Sequence, residues 1–135
     1  MRVLRSETMP LRLKDDIVLA RQVVRARAVE AGFSLVDQTR LVTAASELAR
    51  NTVDHGGGGT MTVELVSNDT GGTGLRLTFD DHGPGIPDIE LALKDGYTTR
   101  GGLGLGLGGA RRLSNEFEIS SEPGMGTRVS VVRWR

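Results

Sequence analysis

Asp80-Asp81-His82-Gly83-Pro84-Gly85-Ile86-Pro87 is the stretch on which the reading of this chain turns. It follows Leu75-Arg76-Leu77-Thr78-Phe79, where Leu75, Leu77 and Phe79 alternate with polar residues as in a half-buried strand. A carboxylate at the end of such a strand is held rigidly at the sheet edge. Gly83 and Gly85 remove side chains just beyond it, so a flat ligand can approach the backbone. Pro84 and Pro87 stiffen the exit and stop the strand. Asp81 is thereby offered to a ring that carries hydrogen-bond donors, such as the amino group of adenine. A plain tight turn after a strand would read the same way, so the stretch needs company.

Composition narrows the field. The 135 residues predict one domain with a sizeable core, residues 1–135. Lys+Arg and Asp+Glu both number 17, and a net charge of zero argues against nucleic acid or an anionic membrane as partner. With no cysteine and two histidines, thiol chemistry, disulfides and a zinc site are not expected. Neither a signal peptide nor a membrane span is legible, which predicts a cytosolic protein. Glycine is the anomaly: 19 of 135, seven of them between Gly96 and Gly109, so they mark a site.

Upstream, Val3 to Thr8 reads as a strand interrupted at Met9-Pro10 and resumed over Leu11 to Lys14, with Pro10 at an edge or bulge. Asp15 is the expected N-cap of a first helix. Ile17, Ala20, Val24 and Ala28 form its apolar stripe, widened by Leu19 and Val23, and Gly32 caps its end. Ser34 with Asp37 opens a second helix in the manner of a capping box. Leu41, Ala44, Ala45, Leu48 and Thr52 line one face of that helix, and Glu47, Asn51 and His55 another. Thr60 to Val66 and Leu75 to Asp80 read as a hairpin. Asp88 to Leu93 holds one or two helical turns, and a third helix starts inside the run from Gly101 to Gly109. Phe117, Ile119 and Ser121 alternate in a strand that turns at Pro123-Gly124-Met125-Gly126 into a last strand, Thr127 to Trp134. Helices on one face of a largely antiparallel sheet follow from this order.

Two more segments bear on chemistry. An amide oxygen at Asn51 suits Mg²⁺, and a carboxylate at Glu47 suits activation of a hydroxyl. The spacing alone also fits an ordinary helix surface. Glycines that lead into a helix let backbone N–H groups surround a polyphosphate. No Gly-Lys-Ser/Thr follows, so this is not a Walker A loop, and no strand precedes it as in a dinucleotide fingerprint. His55 reads either as a group near phosphate or as a helix-end histidine facing a carbonyl. Trp134 reads either as a partner anchor or as a plug against the helices.

In order, Glu47-x-x-x-Asn51, Asp81-x-Gly83-x-Gly85, Gly102-x-Gly104-x-Gly106-Leu107 and Gly126-Thr127 resemble the ATP-binding boxes of the GHKL superfamily. That is the Bergerat-fold domain shared by gyrase, Hsp90, MutL and histidine kinases. The resemblance covers nearly the whole chain and implies an α+β two-layer sandwich with helices on one face of a largely antiparallel mixed sheet. It implies ATP and Mg²⁺, with Asn51 as metal ligand and Glu47 as catalytic base. Asp81 would bind the adenine amino group, Gly83 and Gly85 would give the base room, and Ile86 belongs to the same nucleotide set. Gly102, Gly104 and Gly106 would close over the phosphates, with Gly101, Leu103, Leu105 and Leu107 in the same nucleotide-binding set, and Thr127 would sit near adenine.

The length leaves no space for a histidine kinase's phosphoacceptor helix or for the further domain of gyrase, Hsp90 and MutL. A stand-alone domain is similar to the anti-sigma-factor serine kinases. Ser46-Glu47-Leu48-Ala49-Arg50-Asn51, Asp95-Gly96-Tyr97-Thr98-Thr99 and Arg133-Trp134 resemble the RsbT-type switch kinases. The resemblance implies a protein serine/threonine kinase that phosphorylates a STAS-domain antagonist or scaffold of the stressosome and, once released, activates a PP2C-type phosphatase. Arg100 and Gly108-Gly109 depart from the pattern, the glycines by loosening the end of the lid. Two alternatives stay open at this stage: a nucleotide-gated binding module with little catalysis, and a kinase that holds a sigma factor directly.

Overall fold

Five strands and four helices make up the described part of the chain in a computed structural model that describes residues 1–94 and 106–135. They are β1 (Arg2–Leu11), α1 (Lys14–Glu30), α2 (Leu35–Asp54), β2 (Gly59–Ser67), β3 (Thr73–Asp81), α3 (Ile89–Ala92), α4 (Gly106–Arg112), β4 (Glu116–Glu122) and β5 (Gly126–Trp134). The sheet order is β1-β2-β3-β5-β4. All four described pairings are antiparallel, so no parallel pair makes the sheet mixed among the described residues.

Period-two alternation makes one face of this sheet apolar. Met61 and Val63, Leu77 and Phe79, and Val129 and Val131 are buried on it. Against them α2 lays Leu41, Ala45 and Leu48, and α1 lays Ala20, Val24 and Ala28. The alanines let the two helices approach closely while the strand residues fill the layer between. β3 is the middle strand, so its end carries Asp81 into the centre of the sheet's rim. There Asp81 pairs with Gly59 on one side and Thr127 on the other.

Local expectations hold with some changes. β1 runs unbroken through Met9-Pro10 to Leu11 and does not resume as far as Lys14; its irregularity lies between Val3 and Arg5. β1 is an edge strand, where a proline without an N–H is tolerated. The α1 N-cap is Leu13 and not Asp15. The helix starts at Lys14, which brings Asp16 round to accept the N–H groups of Arg12 at 2.8 Å and Leu13 at 3.0 Å. Those backbone bonds hold the Asp16 carboxyl below its ordinary range. Leu19 is exposed, so only Val23 widens the stripe. Gly32, at φ +83°, ends α1 with Gly32 N–H to Val29 O and Phe33 N–H to Ala28 O, both 3.0 Å. That pair of bonds needs the left-handed conformation. Gly108 and Gly109 are buried helical residues of α4; the lid that they were expected to loosen lies largely outside the described residues. Trp134 lies on the face away from the helices, over Gly74, and its Nε1 donates to Glu116 at 2.6 Å. It is therefore not a plug against the helices.

Ser34 Oγ accepts the Asp37 N–H at 3.2 Å, but the Asp37 carboxylate does not complete the box. It turns to Arg40 at 3.0 Å and to Nη2 of Arg133 at 3.0 Å, while Arg133 Nη1 donates to Leu113 O at 2.8 Å. One carboxylate thus ties the start of α2 to the end of β5 and to the chain after α4. Partial burial raises the Asp37 pKa, yet the Arg40 hydrogen bond and the Arg133 charge outweigh it, leaving the carboxyl below its ordinary value. A carboxyl depressed in the fold stabilises it above the unfolded value near 4 and ceases to do so as pH falls through the folded value. Asp37→Ala is expected to cost about 1–2 kcal/mol at pH 7. Thermal unfolding at pH 7 and again near pH 2 checks this. The gap between variant and parent should shrink at the lower pH, and a gap that stays constant would remove the charge from the account.

Candidate functional site

A cavity of about 330 Å³ opens beside the end of β3. α2 supplies Leu48, Asn51 and Thr52, and His55 and Gly56 follow it. β3 supplies Phe79 and Asp81, the loop after it Pro84 to Asp88, α3 Leu91 and Ala92, α4 Gly106 and Leu107, and β5 Thr127 and Val129. The walls are apolar with a few polar groups among them, and the volume suits a small organic ligand.

Asp81 is fixed by its neighbours. Its Oδ1 accepts the N–H groups of Gly83 at 2.9 Å and Thr127 at 3.2 Å. Both described bonds fall on that oxygen, so Oδ2 keeps its acceptor capacity for a ligand. The carboxylate presses on Gly56, where any Cβ would collide with it. A Cβ at Gly83 would come within 2.7 Å of Gly56 Cα. Two glycines thus let the end of α2 and the loop after β3 nest together, and a larger residue at either place would push Asp81 aside. Gly85 sits at φ +80°, turning the chain so that Ile86 N–H reaches Ser121 Oγ at 2.7 Å. The β4–β5 turn is anchored on the same loop by Gly124 N–H to Pro84 O at 2.8 Å.

The structure brings Asn51, Asp81, Gly85, Ile86, Gly106, Leu107 and Thr127 round one cavity, from four separate parts of the chain. Gly83 does not line it but shapes it through Gly56. Glu47 stands one turn before Asn51 and is not a lining residue; its carboxylate pairs with Arg50 at 3.1 Å. Gly101, Gly102, Leu103, Gly104 and Leu105 lie outside the described residues, as do Asp95 to Arg100. His55 lines the cavity. Sequence reasoning missed the apolar walls, among them Phe79, Leu91 and Val129, because nothing in their local pattern separates a cavity wall from core. It also missed Ser121 as a support of the site, since only the β4–β5 register sets Ser121 beside Thr127. For Gly56 there was a signal, the glycine run directly after the Asn51-x-x-x-His55 step.

Residues 36–135, most of the chain, match the model of the histidine kinase-, DNA gyrase B- and HSP90-like ATPases. This chain belongs to that ATPase family. Within it, the chain is 49% identical over 119 residues to the serine/threonine-protein kinase RsbT of Bacillus subtilis, covering 88% of this chain and 89% of RsbT. It is 30% identical over 118 residues to the anti-sigma F factor of a Thermoanaerobacter species, covering 85% and 82%. The crystal structure of the RsbU and RsbW domains of a Mycobacterium tuberculosis protein superposes with TM-score 0.66 at 22% identity, covering 97% of this chain and 33% of that one. That last likeness shows the shared fold. The ATPase-family fold was expected from the ordered boxes, and the serine/threonine-kinase class stands with the RsbT likeness. Membership of this ATPase family also carries ATP binding with it. Among the described residues no helix is long and apolar enough to cross a membrane.

Proposed function

We propose that this chain is a cytoplasmic, single-domain, Mg²⁺-dependent protein serine/threonine kinase of partner switching. It passes the γ-phosphoryl group of ATP to a hydroxyl on a STAS-domain antagonist or scaffold and, when released, engages a PP2C-type phosphatase. The observation that carries the reading is the convergence of Asn51, Asp81 and Thr127 on one cavity in a chain 49% identical to a serine/threonine-protein kinase.

The residues present fit the nucleotide. Asp81 Oδ2 is an acceptor placed for an exocyclic amino group, and Gly56 and Gly83, where a Cβ would collide, let the carboxylate and the loop after β3 lie against the end of α2. The apolar walls accept a flat ring. The polar residues of the lining also fit a magnesium ion bound largely through phosphate. No three acidic or histidine side chains converge among the described residues, so the ion would take most of its ligands from phosphate and water, with the Asn51 amide oxygen at the cavity as the side-chain donor. When bound, that ion neutralises charge on the transferring phosphoryl group. Glu47 takes the proton of the acceptor hydroxyl. Its pair with Arg50 joins two side chains of one helix three residues apart and is worth only a few tenths of a kcal/mol, so it can exchange for the acceptor. In this reading Gly101 to Leu107 belong to the nucleotide-binding set.

The Glu47–Arg50 pair favours a second reading, a nucleotide-gated binding module, because the base is engaged outside the cavity. One experiment separates the two. The chain is incubated with γ-labelled Mg²⁺-ATP and a STAS-domain protein of the same organism. Label on a serine or threonine of that protein is the expected result. Binding of both ATP and the STAS-domain protein without transfer of label would favour the module.

A further inference from the structure

A second cavity, of about 210 Å³, lies between β1 and the end of α1. It shares no lining residue with the first. Leu75 in its wall stands six residues before Asp81 on β3, roughly 20 Å along the strand. Four of its lining residues are charged: Arg5 and Glu7 from β1, Arg27 and Glu30 from α1. We infer that this cavity is a ligand site for a small neutral molecule that carries an amide group on an aliphatic body. The inference does not depend on the reading of the first cavity as an ATP site.

β1 breaks its own pattern here. Met9 and Leu11 pack into the core beneath the helices, but Arg5 and Glu7, on the same face of the strand, are charged. In register they stand opposite Leu65 and Val63. Arg27 and Glu30 reach them from α1. Glu30 is well served: its Oε2 accepts from Arg27 Nη1 at 2.9 Å and from Arg5 Nη1 at 3.5 Å. Glu7 is not. Its cationic neighbours are Arg27 Nε at 3.7 Å and Arg5 Nη2 at 4.0 Å, both beyond hydrogen-bond reach. Among the described residues, Arg27 Nε is the buried side-chain polar atom without a hydrogen-bond partner. A buried N–H with no acceptor is costly, and in native proteins such a group is met by a water or a ligand.

The cavity thus offers one donor and one acceptor, 3.7 Å apart, beside an apolar wall of Val63, Leu65 and Leu75. Its charges balance, two cations against two anions, so an ion of either sign would bring a charge with no counterpart. An amide matches. Its oxygen accepts from Arg27 Nε–H and its N–H donates to Glu7 Oε1. Both atoms hang on one carbon and point apart, which lets them reach two groups at this separation. The hydrocarbon body then lies on the apolar wall. A carboxylate would set a second acceptor against Glu7, and an ammonium a donor against Arg27 Nε–H. A site built on hydrogen bonds rejects analogues that leave its buried groups unpaired.

The test uses isovaleramide, isovalerate and isopentylamine, which share a branched aliphatic body and differ in the polar group. Each is titrated into the isotope-labelled full chain and followed by backbone amide chemical shifts. Isovaleramide is expected to shift the signals of Val63, Leu65 and Leu75 saturably, and the two ions to bind at least about 10-fold more weakly. Arg27→Lys keeps the charge and removes the Nε–H donor. It should lose about 10-fold in affinity for isovaleramide and leave the ATP dissociation constant within about 2-fold of the parent. Three probes that bind alike would make this an apolar pocket without polar recognition. No saturable shift would make it a site for water only. Either result, or an undiminished affinity for isovaleramide in Arg27→Lys, would overturn the proposal. Should Arg27→Lys fail to fold, the three probes on the parent chain decide alone.

Discussion

Asp81→Asn should leave the fold intact and weaken ATP binding roughly 100-fold, a loss of about 3 kcal/mol. The size follows from hydrogen-bond direction. In the parent, Oδ1 accepts from Gly83 and Thr127 while Oδ2 remains available to the ligand. An asparagine has one oxygen and one amide nitrogen for the same two places. If the oxygen keeps the two N–H groups, the NH₂ faces the ligand's amino group, donor against donor. If the amide flips, the NH₂ faces the two backbone N–H groups and the loop after β3 loses its anchor. Neither orientation restores the parent. Titration with a fluorescent ATP analogue, with circular dichroism as a control on folding, decides the matter. An unchanged dissociation constant would remove Asp81 from the nucleotide site.

Glu47→Ala should do the opposite: bind ATP within about 2-fold of the parent and lose transfer by roughly 10²–10⁴-fold, the range supplied by a positioned general base. Glu47 does not line the cavity, so binding has little to lose. Its side chain is largely buried, 15% exposed, beside a half-exposed Arg50. Glu47→Gln tests charge apart from shape and should fall with the alanine variant. Single-turnover transfer from γ-labelled ATP, measured beside the binding constant, separates the two effects. Full transfer in Glu47→Ala would place the base elsewhere.

What the sequence by itself determined was whatever short-range physics controls. Alternation in Leu75 to Phe79 and helical spacing in Leu41 to Thr52 specify which side of each element is apolar, and burial follows them. The ordered boxes from Glu47 to Thr127 pointed to the ATPase family that the match over residues 36–135 shows. Tertiary structure alone decided what those residues do to one another. Capping shows it in small: the helix began two residues early, so Leu13 took the N-cap place expected of Asp15 and Asp16 bonded back to it, and Asp37 left its own box for Arg133, 96 residues away. The site shows it in full. Sequence gave no reason to single out Ser121 as its support, because its place beside Thr127 is a matter of β4–β5 register. Nor could it say that Gly56 makes room for Asp81, or that Asn51 faces the cavity while Glu47 pairs with Arg50. Local pattern sets which face of a strand or helix is buried; which residues meet across that face depends on how the elements pack.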